Sequence, residues 1–248
     1  MRLMMSIIRS FTASSGRRCL KAALKPVFLV WAIMILAAVD LSAGYAKSLR
    51  NIRTVMLDPG HGGRDFGARS RNLALEKDVT RNLALTLKEI IETENGKKVK
   101  IFFTHSGAGV ADQMKRSFNA NSEKGDVYLS FHAASGFDRS PRDLGIYISE
   151  KGKFSRRKWE DINKKYSAAS GVLAEKLRKK LDHFYTHKTF IVKSGSFLPL
   201  YGINMPALLV EVIALNDPVD ELMLNEEDFY ERLAAAFYEA LVEYDRNL

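Results

Sequence analysis

Apolar residues recur at every fourth position between residues 76 and 94. Val79, Leu83, Leu87 and Ile91 form one stripe, with Ile90 alongside. That is the period of an amphipathic helix, and Asn95-Gly96 is a pair that stops one. A second stripe, Phe229, Leu233, Phe237, Leu241 and Tyr244, predicts a closing helix over 227–244. Short apolar runs at 53–57, 99–104, 126–131, 145–149, 190–193 and 207–213 have strand length. Helices are expected at 112–124, capped by Asp112, and at 157–181, with Gly171 as its weak point. Asn216-Asp-Pro218 reads as a turn. The run ALLVEVI at 207–213 is almost wholly apolar, which marks a central, buried strand. Strand-like and helix-like segments alternate. The expected fold is therefore a single α/β domain, a mostly parallel twisted sheet of about six strands with helices on both faces.

Ahead of residue 47 the pattern changes. The run PVFLVWAIMILAAV, Pro26 to Val39, carries no charge. Arg2, Arg9, Arg17, Arg18, Lys21 and Lys25 precede it without an acidic residue, and Gly44 and Ala46 follow as a small-x-small exit. A helix of that length reaches about 21 Å, short of a hydrocarbon core of about 30 Å. Residues 1–46 thus read as a signal peptide cleaved after Ala46, with an uncleaved membrane anchor as the alternative. Arg17-Arg18 resembles a twin-arginine export signal, although Gly16 stands where Ser or Thr is usual. Either route takes residues 47–248 out of the cytoplasm, into the periplasm or cell envelope.

Composition narrows the chemistry. The single cysteine, Cys19, lies in the leader, so the domain has neither a disulfide nor a thiolate ligand or nucleophile. Of the formal charge of +9, residues 1–46 hold six Lys/Arg against one Asp, which leaves +4 for the domain. That mild excess suits an anionic envelope surface. The basic residues are scattered without a recognition motif, which argues against a nucleic-acid partner. The densest stretch, Lys151 to Lys165, reads as a solvated loop and helix face.

Four polar residues stand out on this map. His61 sits between glycines in Asp58-Pro-Gly-His-Gly-Gly63, just past the first strand. His132 follows the third strand, Glu211 lies near the end of the sixth, and Glu76 opens the first helix. Open α/β sheets bind ligands beyond the carboxyl ends of their strands, and three of the four fall there. Two imidazoles and a carboxylate suit one Zn²⁺, with a coordination position left for water. In this reading His61, Glu76 and His132 are the ligands and Glu211 is the general base. The ligand spacings, 15 and 56 residues, match no short metal motif. A carboxylate among the aliphatic neighbours of Glu211 is costly unless it is paired or used. Asp58 either orients a ligand imidazole from behind or stabilises the Pro-Gly turn.

These residues carry a family resemblance. Asp58-Pro-Gly-His-Gly-Gly63, Leu75-Glu-Lys-Asp-Val79, Tyr128-Leu-Ser-Phe-His132-Ala133 and Met205-Pro-Ala-Leu-Leu-Val-Glu211-Val212 resemble, in order, four motifs of the zinc-dependent N-acetylmuramoyl-L-alanine amidases of type 3. Arg116, Asn119 and Ala120-Asn121 resemble that family's helix before the second histidine strand. The resemblance covers roughly residues 52–246. It implies zinc on His61, Glu76 and His132, and catalysis by Glu211. The implied reaction is hydrolysis of the amide between the lactyl group of N-acetylmuramic acid and the stem L-alanine of peptidoglycan. Three positions depart from the pattern: Ala134 replaces Asn, His105 stands where Arg is common, and Ile213-Ala214 replaces Gly-Phe. His105, His183 and His187 read as loop or exposed residues. There is no spare length for a wall-binding module, so targeting falls to the domain, the membrane or a protein activator. Two alternatives stay open: a zinc peptidase of another specificity, and a non-catalytic wall-binding regulator on the same scaffold.

Overall fold

The computed structural model describes residues 48–107, 112–134, 143–150 and 158–248. The leader expected at 1–46 and residues 151–157 of the basic stretch lie outside the described residues. The strands are β1 (Thr54–Pro59), β2 (Lys100–Phe103), β3 (Val127–Ala134), β4 (Asp143–Ser149), β5 (Thr189–Gly195) and β6 (Ala207–Ala214). They form one sheet in the order β2-β1-β3-β6-β4-β5. All neighbouring pairs are parallel except β4 with β6. The helices are α1 (Glu76–Asn95), α2 (Gln113–Ser122), α3 (Lys158–Phe184), α4 (Pro218–Met223) and α5 (Phe229–Asp245). The expected α/β fold with a mostly parallel six-stranded sheet is the one observed.

The two sheet faces differ in kind. On one, Leu57, Leu129, Phe131, Val210 and Val212 pack against the apolar stripes of α1, α3 and α5, including Leu83, Leu87, Leu177 and Phe237, all essentially buried. At about 25 cal/mol per Å² of apolar surface, this is the dominant stabilising face. On the other, a smaller cluster of Met56, Tyr128, Leu209, Leu200 and Met205 lies under α2 and residues 198–205. Side chains alternate along each strand. Asp58, Ser130, His132 and Glu211 therefore lie on this second face, farther along strands that begin apolar.

Several boundaries differ from expectation for physical reasons. β1 runs on through Asp58 and Pro59, because buried Asp58 finds three donors in Thr104, Arg116 and Ser130. The stretch read as a turn at 216–218 opens α4 instead. Asp217 caps it through the N–H groups of Val219 and Asp220, with Pro218 in its first turn. α3 passes through Gly171 unbroken. His183 is exposed as expected, and His187, also exposed, pairs with buried Asp220 at 2.7 Å.

Candidate metal centre

The turn after β1 places the first histidine. His61 has φ +63°, a left-handed conformation that costs a non-glycine residue on the order of 1 kcal/mol. The surroundings hold it there. Arg116 donates to the carbonyls of Pro59 at 2.8 Å and His61 at 2.7 Å, and Gly60 N–H donates to Phe131 O at 2.8 Å. His105, half-buried in the loop after β2, accepts the Gly107 N–H on Nδ1. Its Nε2–H therefore donates to Pro59 O at 2.8 Å. Burial, opposed by that carbonyl, lowers the His105 pKa and keeps the ring neutral. His105 also lines a recess of about 240 Å³ with His61, Lys77 and Arg81. Gly60 is needed for close approach: a Cβ there would meet the His132 ring at 2.7 Å.

Glu76 is the first residue of α1, where a carboxylate suits the positive helix end. It is buried, and its oxygens accept N–H groups from Ala68 at 2.8 Å and Ala133 at 2.9 Å. Each oxygen also faces an imidazole: Oε2 lies 3.1 Å from His61 Nε2, and Oε1 lies 3.1 Å from His132 Nδ1. Burial alone would raise the Glu76 pKa. The His132 and His61 contacts and the two N–H groups outweigh it and hold the carboxyl well below the usual range. The His61 pKa is raised, by Glu76 foremost against burial, with Asp65 adding to it. Gly67, at φ +63°, lies so close that a Cβ would meet Glu76 Oε2 and the His61 ring at 2.6 Å.

His61, Glu76 and His132 each offer a ligand atom within 4.8 Å of the others. Their chemistry asks for a cation. His61 Nδ1 is 2.9 Å from the Asp65 carboxylate, which fixes the proton on that nitrogen. A neutral imidazole then turns its Nε2 lone pair onto a carboxylate oxygen. Only a proton or a metal ion makes that contact favourable. The 3.1 Å separations are close to those of adjacent ligands around an ion with bonds of about 2 Å.

Glu211 lies one strand over, as the Cα partner of His132 in the β3–β6 ladder. The ladder bulges immediately afterwards, between His132 and Ala134. Bulges next to functional sites re-aim side chains. Glu211 Oε2 accepts the Gly145 N–H at 2.9 Å and the Tyr147 hydroxyl at 2.9 Å. Thus the four singled-out residues do come together at one sheet edge.

Residues 55–243 match the model of the Amidase_3 family, described as N-acetylmuramoyl-L-alanine amidase. The chain belongs to this amidase family. It is 26% identical to the N-acetylmuramoyl-L-alanine amidase AmiA of Escherichia coli, an alignment covering 94% of this chain and 92% of that one. The amidase AmiC of Escherichia coli is 24% identical over 77% of this chain, which spans only 52% of that relative. The catalytic domain of the amidase CwlV from Bacillus (Paenibacillus) polymyxa superposes with a TM-score of 0.65 at 25% identity, over 78% of this chain and 98% of that one.

Within this amidase, two contacts escaped the sequence reading. The carboxylate on the His61 ring is Asp65, four residues on in the glycine-rich loop. The Asp58 bonds fit the other part open to it, support of the turn. Asp58 accepts from Thr104, from Ser130 at 2.8 Å and from Arg116 at 3.1 Å. Tyr147 was also missed, because its place beside Glu211 depends on the antiparallel β4–β6 pairing, which no local pattern announces.

Proposed function

We propose that this chain is an exported, zinc-dependent hydrolase of peptidoglycan, cleaving the amide between the muramyl lactyl group and the stem L-alanine. The observation that carries the reading is the convergence of His61, Glu76 and His132 on one point beside Glu211, in a member of this family. His61 Nε2, Glu76 and His132 Nδ1 would hold the ion. A Zn²⁺ held there would supply Lewis acidity toward the scissile carbonyl and would make water a competent nucleophile near neutral pH. Glu211 takes the proton from the attacking water and passes it to the departing alanine nitrogen. Asp65 keeps the His61 proton on Nδ1, so that Nε2 stays available. Arg116, anchored on Asp58, fixes the backbone that presents His61.

Export follows from the leader read in residues 1–46, and the +4 left on the domain suits an anionic wall. Metal analysis alongside digestion of purified sacculi tests the assignment. Glu211→Gln is expected to keep its zinc and lose cleavage, and His61→Ala to lose both. Activity in the first variant removes the role given to Glu211. Full zinc content in the second removes the ligand set.

A further inference from the structure

We infer that Tyr147 is a positioning residue for Glu211, its phenol holding the proton-transfer carboxylate in place, and that Gly145 is glycine to admit that phenol. The inference deepens the amidase reading and rests on it for the role of Glu211. Four observations converge. The Tyr147 hydroxyl donates to Glu211 Oε2 at 2.9 Å. The Tyr147 ring lies across Gly145, where a Cβ would meet Cζ at 2.1 Å and Oη at 2.3 Å. No side chain larger than hydrogen leaves the ring where it is, and the same glycine sends its N–H to Oε2 at 2.9 Å. Phe197 packs against the same ring, its centroid 4.6 Å from that of Tyr147.

The strand register explains why these groups meet. Tyr147 pairs with Leu209 across the antiparallel β4–β6 ladder, and Glu211 is two residues beyond Leu209 on the same face. Burial foremost, then the neighbouring carboxylate, raises the Tyr147 pKa well above its usual range. The phenol therefore keeps its proton at neutral pH and acts as a donor. Two donors on one oxygen restrict rotation of the carboxylate. Such a hydrogen bond to a charged group is strong enough to matter, about 10- to 100-fold in an equilibrium.

The test combines kinetics on a soluble N-acetylmuramoyl-peptide with an NMR measurement that needs no turnover. Tyr147→Phe is expected to lower kcat about 10- to 100-fold, with KM and zinc content little changed. Gly145→Ala, which displaces the ring, reproduces the defect in the native background and adds little in Tyr147→Ala. In protein labelled at tyrosine Cζ, the Tyr147 resonance, assigned by its loss in Tyr147→Phe, should move when Glu211 becomes Gln. An unmoved resonance, or wild-type kcat in Tyr147→Phe, overturns the inference. A loss that falls on KM or zinc content instead of kcat overturns it as well, because it would mean a general structural effect. Wild-type protein that releases no alanine-ended peptide, with a resonance that still moves, overturns the amidase reading and leaves the Tyr147–Glu211 contact standing.

Discussion

Two buried carboxylates on neighbouring elements have opposite company. Asp58, inside β1, accepts from Thr104, Ser130 and Arg116, and its counter-charge is a guanidinium that forks onto the turn carbonyls as well. Glu76, at the start of α1, accepts two backbone N–H groups and faces two imidazoles, which can exchange a proton for a metal ion. The first arrangement is closed: every partner is fixed, and the group braces the turn through Arg116. The second is open, because its cation is replaceable. The His61 and His132 side chains keep 24% and 22% of their surface, whereas Arg116 keeps 8%, so only the Glu76 cluster can exchange its cation with solvent. Burial of a carboxylate therefore does not by itself mark a metal site. The identity of its counter-charge does.

The largest expected effect breaks this contrast at its open end. Glu76→Gln should take zinc from about one per chain to background, and abolish cleavage of sacculi, with the fold intact by circular dichroism. Zinc retained in that variant would mean that the carboxylate is only a structural partner, like Asp58.

Next comes the closed end. Asp58→Ala leaves Arg116 buried without its carboxylate and should cost about 3–5 kcal/mol of unfolding free energy, read from denaturant midpoints. A loss below about 1 kcal/mol would place the pair among weak surface bridges and dissolve the contrast.

A smaller effect belongs to the hydrogen bond behind His61, the proposed ligand. Asp65→Ala should weaken zinc binding about 10- to 100-fold, measured by competition with a chromophoric chelator, with unfolding midpoints nearly unchanged. Unaltered affinity would show that His61 keeps its tautomer without help.

The smallest is a pH signature of the zinc-free protein. Glu76 is held low, so its contribution to stability is present above its unfolded value of about 4.3 and fades as pH falls below it. His61 is raised, so its contribution is present below about 6.5 and fades as pH rises through its folded value. Zinc-free protein should lose a little thermal stability in both directions from that window, and zinc should reverse the upper limb. A zinc-free melting temperature that climbs steadily from pH 6 to 8 would contradict the Glu76–His61 coupling.

The parts legible in the sequence were those set by local period and strand ends. The stripe from Val79 to Ile91 appears as α1, and the run at 207–213 as the buried core of β6. His61, His132 and Glu211 could be gathered at one edge because strand ends share an edge in such sheets. What stayed hidden depends on contacts between distant elements. Asp58 reads locally as a turn residue, and only the arrival of Thr104, Ser130 and Arg116 makes it part of β1. Asp65 returns to His61 through a glycine-rich loop whose path has no period. Tyr147 meets Glu211 through the antiparallel β4–β6 pairing, which stands alone among the strand pairs of the described residues. At Asn216-Asp-Pro218 the same residues favour a turn and a helix start, and the bonds made by Asp217 decide for the helix.

The most direct test of the central claim, that this cluster holds the zinc of a muramyl–alanine amidase, is product analysis of purified sacculi digested with and without a chelator. The account predicts stem peptides with a new N-terminal alanine and glycan strands with free lactyl carboxylates, both lost on chelation and restored by zinc. Release that persists through chelation, or peptides beginning with any residue other than alanine, would contradict it.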